Sequence, residues 1–263
     1  MDLHLKSKRA FISGSTQGIG FAIARQLVAE GAGVIINGRT QQKIDTAVAL
    51  LQKEYPNGDI SGIVADFSKA DEVEGLLASL PHIDILINNV GIFELKSFEL
   101  ITDEEWINFF DINVMSGVRL SRALLPKMIE RNWGRVIFIS SESGINVPEN
   151  MIHYGMTKTA MLSLSNGLAK LTKGTQITVN TILGGPTYSD GVAGTIEQIA
   201  ASQNQDTEQL KSYISATTNP TSLLQRFIAP DEIASLAVYL SSPLSIATNG
   251  ASLRADGGKL TTI

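Results

Sequence analysis

Gly14-Ser15-Thr16-Gln17-Gly18-Ile19-Gly20 stands between a short apolar run, Arg9-Ala10-Phe11-Ile12-Ser13, and a segment with Ile19, Ile23 and Leu27 at every fourth position. The run has the length of a buried strand, and the spacing after it is that of one helix face. Gly31 is placed to end that helix. Glycines between the two allow a tight turn and let the backbone approach a ligand closely. The helix behind offers unpaired N–H groups and the positive end of its dipole. A glycine trio alone marks only a turn. Set between a strand and a helix it marks a seat for the pyrophosphate of a dinucleotide, even though its spacing differs from G-x-G-x-x-G.

Outward from this loop the same alternation repeats. Val34-Ile35-Ile36 reads as a second strand, a helix starts near Gln41, and Pro56-Asn57-Gly58 stops it. Strands are expected at 60–65, 83–87, 135–139, 177–179 and 251–255. Helices are expected at 71–80, 102–110, 114–131, 154–171 and 231–240. Strands apolar on both faces and separated by helices predict an α/β domain, a parallel sheet of about seven strands with helices on both faces. One domain over 1–263 is expected. Only 186–227 breaks the rhythm, with a polar middle at Ser202-Gln203-Asn204-Gln205-Asp206, and it reads as a partly helical lid over a site.

Composition excludes several classes. The 263 residues carry 21 Lys+Arg against 26 Asp+Glu, a net charge of −5. That balance argues against a nucleic-acid partner, which needs clustered positive charge. No cysteine is present, so thiolate chemistry and disulfides are ruled out and a cytoplasmic address fits. Three scattered histidines give no metal cluster, and no metal is expected. No apolar run reaches the ~18 residues of a membrane span, and no membrane partner is expected.

At the end of the second strand stands Asn37-Gly38-Arg39-Thr40, with no carboxylate. An acid there would hold the ribose 2′-hydroxyl of NAD, whereas Arg39 can pair with the 2′-phosphate of NADP. NADP, as NADPH, is therefore the expected cofactor, with NAD the alternative. Tyr154 has Lys158 four residues on, which puts both on one helical face. A nearby ammonium lowers a phenol pKa from its ordinary ~10 towards the working range. Ser141 follows the strand at 135–139, at the sheet edge that faces a ligand crevice.

The chain resembles the short-chain dehydrogenase/reductase family over essentially its whole length, and within it the members named 3-oxoacyl-acyl-carrier-protein reductases. The matching residues are Gly14-x-x-x-Gly18-Ile19-Gly20, Asp66, Asn88-Asn89-Val90-Gly91, Asn113, Ser141, Tyr154-x-x-x-Lys158, Val179-Asn180 and Asp256-Gly257-Gly258. The resemblance implies a Rossmann-type doubly wound sheet and hydride transfer between NADP(H) and a carbonyl or secondary alcohol, an acyl thioester among the candidate substrates. It implies that Tyr154 is the general acid/base and that Ser141 holds the substrate oxygen. Lys158 would bind the nicotinamide ribose and depress the Tyr154 pKa, and Asn113 would anchor a relay water. The cofactor-binding set it implies is Gly14, Ser15, Thr16, Gln17, Gly18, Ile19, Gly20, Arg39, Asp66, Asn89, Gly91, Thr187, Tyr154 and Lys158. A homotetramer or dimer is the family expectation.

Three positions depart from that pattern: Ser13 for Thr, Val90 for Ala, and Gly184 where the family carries Pro. Glycine at the last position predicts a looser entrance to the lid. Bland readings compete residue by residue. Ser141 could be a loop serine, Asn113 a helix kink, and Arg39 a solvated charge. A non-catalytic dinucleotide sensor or scaffold would keep the fold, but it would not need Asn113, Ser141, Tyr154 and Lys158 together. A serine hydrolase is disfavoured because no G-x-S-x-G elbow occurs. Trp106 and Phe109 read as packing residues, and His153, pointing away from Tyr154 on the helix, receives no catalytic role.

Overall fold

The computed structural model describes residues 1–261; the last two residues of the expected 1–263 domain lie outside them. The chain runs β1 (Arg9–Ile12), α1 (Gly18–Ala29), β2 (Gly33–Gly38), α2 (Gln41–Glu54), β3 (Ile60–Val64), α3 (Ala70–Ser79) and β4 (Ile85–Asn88). It continues through α4 (Asp103–Phe110), α5 (Ser116–Glu130), β5 (Gly134–Ser141), α6 (Ile152–Lys170) and β6 (Ile177–Gly184). The last elements are α7 (Asp190–Gln203), α8 (Thr207–Thr218), α9 (Pro230–Ser241) and β7 (Ser252–Ala255). All seven strands pair in parallel, in the order β3-β2-β1-β4-β5-β6-β7. The order reverses at β1, which opens the crevice of a doubly wound sheet between β1 and β4.

Successive strand residues feed opposite layers. Ala10, Ile12, Val34, Ile36, Ile85, Ile87, Ile137 and Ile139 pack with α1, α2 and α9. Their alternates Phe11, Ile35, Leu86, Val136 and Phe138 pack with α3, α5 and α6. The twofold period of a strand thus builds two cores from continuous apolar runs. Local signals set the helix starts. Thr40 accepts from the Lys43 N–H to cap α2, and Thr102 with Glu105 forms a reciprocal capping box at α4.

β5 and β6 run longer than expected, to Ser141 and Gly184. The apolar pattern missed their ends because polar residues there are satisfied internally. Asn180, for instance, donates to Thr248 O and accepts from Ala251 N–H. The two helices expected at 102–110 and 114–131 join into one rod through a π-helical segment, Asp111–Met115. Inside the expected lid, α7 and α8 share a small core of Ile196, Ala200 and Leu210 with Tyr188 and Phe227 against it. A bridge between Thr187 and Ile228 closes its base. Among the described residues no helix is long and apolar enough to cross a membrane.

Candidate active site

The loop after β1 is built before anything binds it. Gly14 and Gly18 both have φ near +60°. The Ser15 hydroxyl donates to Ile12 O (2.6 Å) and accepts from Asn37 N–H, locking the loop to β2. A Cβ on Gly20 would lie 2.6 Å from Gly14 O and from Asn89 Nδ2, so α1 meets the loop at the closest approach a glycine allows. Asn89 Nδ2 donates to Ser13 O and Gly14 O. Ser15, Gly20 and the Asn89 amide, named as cofactor contacts from sequence, thus shape the loop, whatever else they touch.

A cleft runs along this loop at the carboxyl ends of β1, β2 and β4. Of the expected cofactor residues, Gly14, Thr16, Gln17, Gly18, Ile19, Arg39, Asp66, Asn89 and Gly91 line it, and Ser15, Gly20, Tyr154, Lys158 and Thr187 do not. Lys43, Ser189 and Gly191 line it too, and these were missed. The signal for Lys43 was available, since it is a second cation in the first turn of the helix that opens just after Arg39. Thr187 turns its hydroxyl to Gly185 O, 2.8 Å away, and the lid presents Ser189 and Gly191 to the cleft instead. At the cleft's far rim, burial raises the Asp66 carboxyl. Hydrogen bonds from the Ser68 N–H and hydroxyl, with Arg39 and Lys69 near, outweigh that and leave it below its ordinary value.

Three expected catalytic residues, Ser141, Tyr154 and Lys158, stand beside the other end, behind Gly91 and Phe93, which line it. Ser141 ends β5, and Tyr154 and Lys158 lie one turn apart on α6, with Lys158 Nζ 5.5 Å from the Tyr154 ring centre. Phe93, from the loop after β4, meets the same ring edge-on at 6.4 Å. Lys158 is buried and donates to Ile139 O at 3.0 Å. A Cβ on Gly91 would lie 3.4 Å from Lys158 Nζ, so the ammonium sits beside the cleft wall. Burial pushes Lys158 down to about 8.

One expected effect takes a different form. Tyr154 does not have a depressed pKa. Burial pushes the phenol above its ordinary value; Ser141 pulls it down and the Glu142 carboxylate pushes it up. Lys158 is turned to a carbonyl, and desolvation of the phenolate wins. Asn113 lies in the π segment, a common device at functional sites. Its Oδ1 accepts from Ile92 N–H (2.7 Å), while Nδ2 donates to Ile92 O and to Thr157 Oγ1 (2.9 Å). It thereby clamps the loop after β4 to α6. Val90, the departure from Ala, packs on the loop, 3.1 Å from where a Gly14 Cβ would stand. His153, given no catalytic role, is buried with Phe109 and Trp106 against its ring.

The residues fit a nicotinamide dinucleotide: a glycine loop at a helix N-terminus, cations at one end, and a buried lysine beside a glycine wall at the other. The comparisons agree. The family model described as short chain dehydrogenase matches residues 8–200, and the chain belongs to that family. "Uncharacterized oxidoreductase YvrD" of Bacillus subtilis is 46% identical over 98% of both chains. D-beta-hydroxybutyrate dehydrogenase of Cupriavidus necator is 32% identical over 97% of this chain and 98% of its own. L-sorbose reductase from Gluconobacter frateurii, solved with NADPH and L-sorbose, superposes with a TM-score of 0.93 at 27% identity over all of both chains. The protein is an NAD(P)-dependent oxidoreductase of this family.

Proposed function

We propose that the protein is an NADP(H)-dependent carbonyl reductase or secondary-alcohol dehydrogenase in which Tyr154 carries the proton. The observation behind this reading is one cleft with Arg39 and Lys43 at one end and the Ser141–Tyr154–Lys158 group beside the other. Arg39 and Lys43 would hold a 2′-phosphate, the loop 14–19 the pyrophosphate, and Lys158 the nicotinamide ribose. Bound there, the cofactor supplies or accepts the hydride. Tyr154, held protonated by burial, donates its proton to the carbonyl oxygen during reduction. In oxidation it must first lose that proton, so that direction favours alkaline pH. Ser141 positions the oxygen, and the lid, 186–227, shapes the substrate pocket.

The substrate class is a carbonyl or secondary alcohol. A ketose, a 3-oxo acid and a 3-oxoacyl thioester are the candidates to assay, the first two after the relatives' names. We extend the proposal to a cytoplasmic homo-oligomer, tetramer or dimer, supported by the exposed apolar side chains Ile107 and Phe110 on α4. Light scattering of the purified protein tests that part, and a monomer at working concentration refutes it. The activity test is NADPH oxidation across a panel of L-sorbose, acetoacetate and a 3-oxoacyl thioester. Turnover lost in Tyr154→Phe supports the assignment; a wild-type rate in that variant overturns it.

A further inference from the structure

Beside the catalytic group lies a charge pair that the reading above does not use. The Glu142 side chain follows Ser141 directly and is buried. Its Oε2 accepts the Ser141 hydroxyl, and its Oε1 accepts from Lys259 Nζ at 2.7 Å. Lys259 lies 117 residues further along the sequence, and its side chain is 17% exposed. Its placement is built. Asp256 is buried and accepts from the Gly258 and Leu260 N–H groups. Gly257 and Gly258, at φ +64° and +76°, make the turn that aims Lys259 inward. The Thr221 hydroxyl holds the Lys259 carbonyl from the lid side.

Proton accounting gives the pair a task. A serine hydroxyl has one hydrogen. Ser141 gives it to Glu142, while its oxygen accepts from the Ser143 N–H at 3.1 Å. That hydrogen is the one by which Ser141 lowers the Tyr154 pKa, so the carboxylate competes for it with the phenol oxygen and with a substrate oxygen. We propose that Glu142, held by Lys259, is a positioning residue that orients the Ser141 hydroxyl and sets the proton affinity of Tyr154. The inference rests on the assignment of Tyr154 as the proton carrier.

The charged groups around Tyr154 are Lys158 on its own helix, Glu142 on the turn after β5, and Lys259 behind Glu142 on the C-terminal turn. The loop after β4 faces it with the uncharged ring of Phe93. Removing the charge of Glu142 lets Ser141 turn its hydrogen to the phenol oxygen and removes a repelling anion, so Tyr154 ionises more readily. Removing Lys259 leaves the carboxylate unpaired, so Tyr154 ionises less readily. A pair that served only stability would lower activity in both variants without moving Tyr154 in opposite directions.

The test reads Tyr154 directly, without a substrate. Tyrosinate absorbance is titrated with NADP bound for the wild type, Glu142→Gln, Lys259→Met and Lys259→Arg. Each curve is corrected by the same protein carrying Tyr154→Phe. The expected result is ionisation about one pH unit lower in Glu142→Gln and higher in Lys259→Met, with Lys259→Arg at the wild-type position. Unchanged curves, or shifts of the same sign in both, overturn the proposal. If one variant does not fold, the sign found in the other decides. Turnover of the substrate panel in Tyr154→Phe is scored separately, so failure of the proton-carrier assignment is distinguishable from failure of the pair.

Discussion

Neutralising Asp190 should tighten the dinucleotide site, although the residue belongs to the lid. Asp190 opens α7, and its carboxylate accepts the Gly18 N–H at 2.7 Å across 172 residues of sequence. The cap residue of α1, Gln17, makes no side-chain bond of its own, so Asp190 supplies the missing anion at that helix end. The same N–H belongs to the loop assigned to the pyrophosphate, so cofactor and carboxylate compete. A hydrogen bond to a charged acceptor contributes about 1.5–3 kcal/mol and a neutral one about 1. At an exposed site the low end applies, so Asp190→Asn weakens the competitor by about 0.5–1 kcal/mol. Relief of repulsion between the carboxylate and the pyrophosphate adds roughly 1 kcal/mol per charge pair at close range in water-like surroundings. Together these come to about 1.5–2 kcal/mol, at least an order of magnitude in Kd. NADPH fluorescence titrations in dilute buffer should show binding tightened about tenfold or more in Asp190→Asn, and the gain should shrink in ~1 M salt, where screening acts within ~3 Å. An unchanged or weaker Kd in dilute buffer refutes the competition.

Gly20→Ala should loosen the same site, because its Cβ would stand 2.6 Å from the Gly14 carbonyl and 2.8 Å from Ser15 Cα, backbone atoms that cannot turn aside. Overpacking of this kind costs about 1–3 kcal/mol, read as a lower Tm and a Kd for NADPH raised about tenfold or more; a wild-type Kd counts against the loop geometry. Arg39→Ala and Lys43→Ala, both lining the cleft, should each lower kcat/KM for NADPH by about five- to tenfold and leave that for NADH nearly unchanged. Equal losses with both cofactors would remove the 2′-phosphate assignment. His153 is fully buried with neither ring nitrogen hydrogen-bonded, and burial pushes its pKa below the ordinary value. The unfolded chain therefore binds a proton first as pH falls. Stability present above about pH 6.5 is lost below it with a slope of up to about 1.4 kcal/mol per pH unit. Urea midpoints at about pH 7 and about pH 5 should converge in His153→Phe, and an unaltered pH dependence in that variant contradicts the assignment.

Most of the framework was legible because it is written in local patterns. The apolar runs 34–36 and 135–139 gave β2 and β5, the four-residue spacing of Ile19, Ile23 and Leu27 gave α1, and Tyr154 with Lys158 gave a shared helical face. What stayed hidden depends on partners far along the chain. The Glu142–Lys259 pair joins residues 117 apart, and no periodicity connects them. The raised Tyr154 is a burial effect, and burial is decided by packing rather than by the lysine four residues on. The clamp that Asn113 makes with Ile92 and Thr157 joins residues 21 and 44 apart and depends on the π segment, which no local pattern marks. Thr187 was chosen where the lid turns instead to offer Ser189 and Gly191.

These long-range contacts anchor the segment 186–227, the proposed lid, at both of its ends. At its start Asp190 sits on the phosphate loop. At its end the N–H groups of Leu223 and Leu224 donate to Gly257 O, and Thr221 holds Lys259, whose ammonium reaches Glu142 and through it Ser141. Between these anchors α7 and α8 carry only a small core of their own, so the segment is held mainly by its ends. A dinucleotide that displaces Asp190 releases the first anchor and leaves the second intact. If 186–227 is a lid as proposed, it would then turn about the Thr187–Ile228 bridge at its base while the group proposed to carry the proton stays fixed. Binding and chemistry are thus separated along one segment: substitutions at its start should act on cofactor affinity, and those at its end on the ionisation of Tyr154. Asp190→Asn should therefore leave the tyrosinate titration of the NADP complex where the wild type has it, and Lys259→Met should leave the NADPH Kd unchanged. If each variant moved the other's readout, the two ends would be one mechanical unit and this division would fail.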